Sequence, residues 1–257
     1  MTAWVFDIEE FAALWYGPAA DRMLFPLHYL SRFSHMNALE QYRSSVRRDW
    51  SEQGRLDWDS AEQLDRAFAV LTDPEVWTEI HGREKRGPLR AVTARHDQHA
   101  VIAEQSADGA RVRVTIVAAE RLPNGTAAVL PDTPAGKRPA ERFDVHDLGP
   151  EDRTAVTIIE GPNPRERYRR FRDEPCTSAG VIQVFRGPRN TQGKPPRRVA
   201  AIQWHDRPDG RYLETGTRAR TIAPANAATL ARLIAREVGK ALEEYHEHVE
   251  DMGQFAP

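Results

Sequence analysis

The sequence predicts an α+β protein in which helices come first, an antiparallel sheet follows, and a second run of strands ends in a long helix. Three observations carry that prediction. Apolar residues recur at the helical period through roughly the first 73 positions, and the period changes to 2 from Val76 onward. A strand leading into an Asp-Gly turn occurs twice, once before Asp108-Gly109 and again before Asp209-Gly210. The strand rhythm of the first half therefore returns in the second, before the amphipathic helix at the end.

Taken in order, residues 4–6 read as a short strand, and Ile8, Phe11, Ala12 and Trp15 then repeat at helical spacing until Gly17-Pro18 stops them. Asn37 with Glu40 three residues on has the form of a capping box, opening a helix whose stripe of Leu39, Tyr42, Val46 and Trp50 runs to Gly54. Ser60 with Gln63 repeats that form ahead of Leu64, Ala67, Phe68 and Leu71. Asp73-Pro74 ends the helix, because proline disfavours helical geometry in the residue before it. Strands are then predicted at 76–81, 89–95, 99–105 and 110–117, most plainly where Val112, Val114 and Ile116 alternate with Arg111, Arg113 and Thr115. A short helix is predicted at 126–130. Residues 131–165 contain six prolines, Pro131, Pro134, Pro139, Pro150, Pro162 and Pro164, and read as the connection between halves at about 1–135 and 165–257. The second half gives strands at 181–186, 199–205 and 211–217, then a helix from about Pro224. Its stripe is Leu230, Leu233, Ile234, Val238, Ala241, Leu242 and Tyr245, flanked by Arg232, Arg236, Glu237 and Lys240.

Composition narrows the function classes. Among 257 residues with a mean hydropathy of −0.63, no apolar run approaches the roughly 20 residues of a membrane-spanning helix, so membrane insertion is not expected. The first residues lack a basic stretch followed by an apolar one, and a cytoplasmic location is expected. Cys176 alone can neither close a disulfide within the chain nor form a thiolate cage. Thirty-six basic residues against 38 acidic ones, net −2, provide no overall field for nucleic acid or anionic lipid.

No phosphate loop, dinucleotide fingerprint, nucleophile elbow or zinc-protease motif occurs, so the sequence does not support an enzyme. Glu244, His248 and Asp251 share one helical face, and His96, Asp97 and His99 share one loop. Both sets read as polar surface rather than metal ligands, and no metal or cofactor is expected. Residues 165–172 hold five arginines, from Arg165 to Arg172, around Tyr168 and Phe171. That composition suits phosphate and base contact, the alternative function, but an amphipathic helix with both aromatics turned inward explains it better. The stretch Gly82-Arg-Glu-Lys-Arg-Gly-Pro88, between two strands, is basic and suited to partner contact.

Several segments, taken together in order and spacing, resemble a known family. They are residues 56–74, Ala119-Glu-Arg-Leu-Pro-Asn-Gly-Thr-Ala-Ala-Val-Leu-Pro131, Gly180-Val-Ile-Gln-Val-Phe185, Trp204-His-Asp206, Gly210-Arg-Tyr-Leu213 and Pro224 opening the last helix. They resemble the EspG chaperones of type VII (ESX) secretion across nearly the whole chain. The resemblance implies a single domain over 1–257, with a central antiparallel β-sheet flanked by helical bundles in a quasi-two-fold arrangement of two halves. It implies a cytosolic, non-catalytic chaperone that binds the hydrophobic helical tip of the PPE protein in a PE–PPE heterodimer, keeping it soluble and targeting it for export. Partner-binding positions carried over from the family fall on Arg83, Lys85 and Arg86 in the early loop and on Leu230, Ile234 and Val238 of the last helix. Those three aliphatics have internal packing as their alternative fate. No nucleic acid partner is expected, and a homodimer of the free protein is allowed.

Overall fold

The alternation that starts at Val76 extends beyond the strands read from sequence, and ten strands join one sheet. The computed structural model describes residues 2–17, 20–52, 58–148, 162–189 and 196–254. The strands are β1 (Thr2–Asp7), β2 (Val76–Glu84), β3 (Gly87–His96), β4 (His99–Gln105), β5 (Arg111–Ala118), β6 (Glu141–Asp144), β7 (Ser178–Arg186), β8 (Arg197–Arg207), β9 (Gly210–Thr215) and β10 (Ala219–Pro224). The helices are α1 (Ile8–Trp15), α2 (Met36–Glu52), α3 (Trp58–Thr72), α4 (Leu122–Ala128), α5 (Pro164–Asp173) and α6 (Ala227–Gln254).

The spatial order is β1-β5-β4-β3-β2-β7-β8-β9-β10-β6, with every pairing between these strands antiparallel. Four strands lie on each side of the β2–β7 pair, so the two-half rhythm of the sequence becomes a quasi-two-fold sheet. The symmetry corrects one detail. Counted outward from that pair, β3 and β8 are equivalent, as are β4 and β9. The hairpin at Asp209-Gly210 therefore occupies the place of the β3–β4 hairpin, where Asp97 has a φ of 52°, and not that of Asp108-Gly109.

Several boundaries move for local reasons. Helix α2 begins at Met36 and α3 at Trp58, so Asn37 and Ser60 lie inside their first turns. Gly54 and Pro150 fall outside the described residues. Helix α4 starts at Leu122, earlier than predicted, because Pro123 suits a first helical turn. Strand β9 stops at Thr215, since Gly216, with a φ of 97°, turns the chain into β10. Both β10 and β6 escaped the sequence reading.

Helices cover both sides of the sheet. On one face, Phe11, Trp15, Leu64, Ala67 and Leu71 of α1 and α3 pack on Val92, Ala94, Val101, Ala103, Val112 and Val114. Farther along the same face, Tyr168 and Phe171 of α5 close over Phe143, Tyr212 and Ile222. On the opposite face, α4 and α6 cover Val76, Ile80, Leu89, Ala91, Ile182, Val184 and Ile202. Leu230 and Ile234 are fully buried there and Val238 is 4% exposed. These three therefore take the internal packing that the sequence allowed them, with the amphipathic stripe of α6 turned onto the sheet beneath it.

The segments that carried the family resemblance build this frame. The Trp204 indole lies over Gly82 and Gly180, where an added Cβ would sit 2.6 Å and 2.3 Å from the ring, and its Nε1 donates to Ser178 Oγ at 2.9 Å. Buried Arg211 donates from Nε and Nη2 to both oxygens of buried Asp206, at 2.6 and 2.7 Å, and Nη2 also donates to the Pro131 carbonyl at 2.6 Å. That fork ties the connection between the halves to the β8–β9 hairpin.

Candidate functional site

Between the strands covered by α1 and α3 and those covered by α5 lies the middle of the first face, formed by the β2–β7 pair. Along β2 this surface presents Trp77, Glu79, His81 and Arg83 in alternate positions, opposite Phe185, Gln183, Val181 and Ala179 of β7. The row runs from core to solvent. Trp77 and Phe185 stack at 4.1 Å, Glu79 and His81 are half-buried, and Arg83 is exposed. Arg189 lies 4.0 Å over the Trp77 ring and donates from Nε to the Leu71 carbonyl at 2.8 Å. Burial pushes the Glu79 carboxyl up to about 7, against the opposing pull of the Arg189 charge. Burial likewise lowers the pKa of His81.

The row ends at the β2–β3 hairpin, whose turn is Lys85-Arg86, with Glu84 opposite Gly87. Arg83, Lys85 and Arg86 are all exposed, as the sequence suggested. Gly87 takes a φ of 133°, a backbone state that side chains disfavour.

Apolar surface reaches the same strand, at His81, through a segment that sequence reasoning passed over. Leu24 and Leu27 are buried in the core and anchor the strap formed by residues 24–32. His28 N–H donates to Gln105 Oε1 at 2.8 Å, and Gln105 Nε2 donates back to the His28 carbonyl at 2.6 Å. The buried Glu9 carboxylate accepts from Tyr29 Oη at 2.9 Å and from the Arg32 N–H at 2.5 Å. So pinned, the strap turns Phe25 and Leu30 outward, at 55% and 82% exposed. Phe25 meets His81 edge-on at 5.2 Å, which places an exposed aromatic beside the strand that ends in the cationic hairpin. The signal was a dense apolar run, Met23-Leu-Phe-Pro-Leu-His-Tyr-Leu30, with neither helical nor strand period. Such a rim, with apolar side chains beside flexible cations, suits a protein partner.

A family model described as the EspG family matches residues 7–236. The chain belongs to the EspG family. None of the curated proteins matches it. Among solved structures, this EspG-family chain is similar to the Mycobacterium tuberculosis type VII secretion system chaperone EspG5 in complex with a PE25–PPE41 dimer. The TM-score is 0.54 and the identity 14%, over 93% of this chain and 96% of that one. That likeness establishes the α+β fold.

The remaining sequence candidates resolve into ordinary structure. Arg167 pairs with Glu141 at 3.3 Å and Arg172 with Glu214 at 3.0 Å, while Tyr168 and Phe171 pack inward. The aromatics of α5 are thus taken up by the core and do not offer a stacking platform. Glu244 faces Arg186 and Arg197 at 3.6 and 3.4 Å. Among the described residues, no three His, Cys, Asp or Glu side chains gather as metal ligands, and no helix is long and apolar enough to cross a membrane.

Proposed function

We propose that this EspG-family chain is a cytoplasmic chaperone of type VII secretion that takes a PE–PPE heterodimer by the hydrophobic helical tip of its PPE subunit. Membership of the family is the observation that carries the reading, and the similar chaperone was solved with a PE25–PPE41 dimer. An exposed apolar helical tip is an aggregation hazard until a complementary surface removes it from water. The docking surface is the rim formed by Phe25, Leu30, Arg83, Lys85 and Arg86, where an apolar strap adjoins the cationic hairpin. The chaperone acts by occupancy, and no bond in the client is made or broken.

Co-expression with candidate PE–PPE pairs tests the reading. One pair is expected to co-purify in a stoichiometric complex, with an interface of roughly 1,200–2,000 Å². Failure of every candidate pair to associate would overturn it. Phe25→Glu, and separately a charge reversal at Arg83, Lys85 and Arg86, should each weaken capture by about tenfold or more at unchanged melting temperature, as loss of an anchor does. Undiminished capture by both variants would move the docking surface elsewhere.

A further inference from the structure

Strand β8 is 11 residues long, yet β9 pairs only with its last five, from Gln203 to Arg207. Residues 197–202, apart from Val199 at a register shift, pair with β7 on one side, and among the described residues no strand pairs with the other. The cause is local. Glu214 of β9 lies opposite Gln203, Thr215 ends the strand, and Gly216 diverts the chain outward into β10. At about 3.3 Å per residue, the free edge of six residues is roughly 20 Å long.

A cavity of about 930 Å³ lies along this edge, bounded by β8 at Val199 and Ala201, the turn at Gly216, and the flank of α6 at Leu233. Small side chains on β8 leave the backbone approachable. The cavity wall also carries five cations, Arg172, Arg198, Arg220, Arg236 and Lys240. Two carboxylates face them. Glu237 is shared by Arg236 at 2.6 Å and Lys240 at 3.4 Å, and Glu214 by Arg172 at 3.0 Å and Arg220 at 3.7 Å. Arg198 donates to the neutral amide oxygen of Gln183, at 3.0 Å. Among the described residues, positive charge is therefore in excess along a strand edge that no other strand pairs with.

We infer that the free edge of β8 is a second binding site, which takes an extended, acidic segment of a partner protein as an added antiparallel strand. Unpaired N–H and C=O groups at a sheet edge recognise extended backbone of any sequence. The surrounding guanidinium groups select carboxylate-bearing side chains, since a cationic segment would meet like charge in the same slot. Helical ligands do not satisfy an edge of this kind, so the site is distinct from one that holds a helical tip, and it does not rest on the chaperone reading.

The probe is a fluorescein-labelled peptide, Thr-Glu-Val-Asp-Val-Glu-Thr, titrated with the full chain by anisotropy and followed by backbone hydrogen exchange. Binding is expected, with slowed exchange at the amides of 197–202 and unchanged exchange at the β1 edge. A twin methylated at alternate backbone nitrogens, and a twin with lysine replacing each acidic residue, should each bind about tenfold more weakly or worse, because one loses the ladder and the other the charge match. Arg198→Glu, at an exposed position whose cation faces the neutral Gln183 amide, should weaken the parent peptide to a similar degree at unchanged melting temperature. No binding would mean that the arginines merely guard the edge against pairing, and would overturn the inference. Equal binding of the methylated twin, protection away from 197–202, or self-association through those residues without peptide would overturn it too.

Discussion

At the scale of single residues, the tightest constraint is the approach of two β-strands beneath Trp204. Gly180 has its Cα side against the Trp204 ring and the His81 carbonyl, where an added Cβ would sit at 2.3 and 2.4 Å. Gly180→Ala is therefore expected to cost about 3 kcal/mol, read as a lowered urea midpoint, because neither a buried indole nor a backbone carbonyl can yield cheaply. Gly239, within α6, has nothing within 4 Å of its Cβ position, so Gly239→Ala should raise the same midpoint by about 0.5–1 kcal/mol through helix propensity. A midpoint that moves alike in both variants would show that the packing under Trp204 is not what selects glycine. Charge adds a second constraint. Desolvation alone would raise the Glu214 pKa, but hydrogen bonds from His205 and Tyr168 and the charge of Arg172 prevail and hold it down at about 2. A depressed carboxyl contributes stability that is present above its unfolded value of 4.5 and lost as pH falls toward 2, here up to about 3 kcal/mol. Glu79 has the opposite sign: raised to about 7, it favours the fold below 4.5 and loses that contribution as pH rises through 7. Denaturation midpoints measured from pH 3 to 8 should accordingly lose their acid slope in Glu214→Gln and their neutral slope in Glu79→Gln.

At the scale of elements, amphipathic period and turn chemistry made most of the fold legible, and the misses have identifiable causes. The strands at 99–105 and 110–117 were readable because the first has a continuous apolar run, buried on both faces, the second alternates, and an Asp-Gly turn lies between them. Strand β10 was not, since Ala219-Arg-Thr-Ile-Ala-Pro224 has one large apolar residue and owes its place to pairing with β9. Strand β6 lies inside a proline-rich connection and, among the described residues, pairs with β10 as its one strand neighbour. The candidate site divided in the same way. The cations of the β2–β3 hairpin were visible as a charged turn between two strands, whereas the Phe25 strap has no period, and its exposure depends on hydrogen bonds its backbone donates to Gln105 and Glu9, distant in the chain. Helix α6 shows the limit of a periodic stripe: it announces that a face will be buried without saying by what. Ile234→Ala should cost about 2–4 kcal/mol in chemical denaturation, as core truncations do, while exposed Arg232→Ala leaves the midpoint within about 0.5 kcal/mol. A neutral Ile234→Ala would return that residue to the list of surface contacts.

At the scale of the whole molecule, the quasi-two-fold sheet invites the idea of two half-domains, but its cores are not divided that way. The halves meet along the full β2–β7 ladder, and the apolar layers cross the joint on both faces. Phe185 of β7 belongs to the cluster built by α1 and α3, and Trp77 stacks on it at 4.1 Å. On the other face, α6 from the second half packs against α4 and over Val76, Ile80, Leu89 and Ala91 from the first. Separating the halves would expose those surfaces together with two strand edges that are central in the intact sheet, each a template for aggregation. Fragments 1–135 and 165–257, expressed separately, are therefore expected to lack cooperative thermal unfolding and dispersed amide resonances, whereas the intact chain unfolds in one transition by tryptophan fluorescence and circular dichroism alike. Cooperative folding of either fragment alone would show that the cross-joint packing is dispensable and that the symmetry is one of separable units. If the intact transition is single, a partner docked at the Phe25 rim stabilises the free edge of β8 as well, because both belong to one cooperative unit.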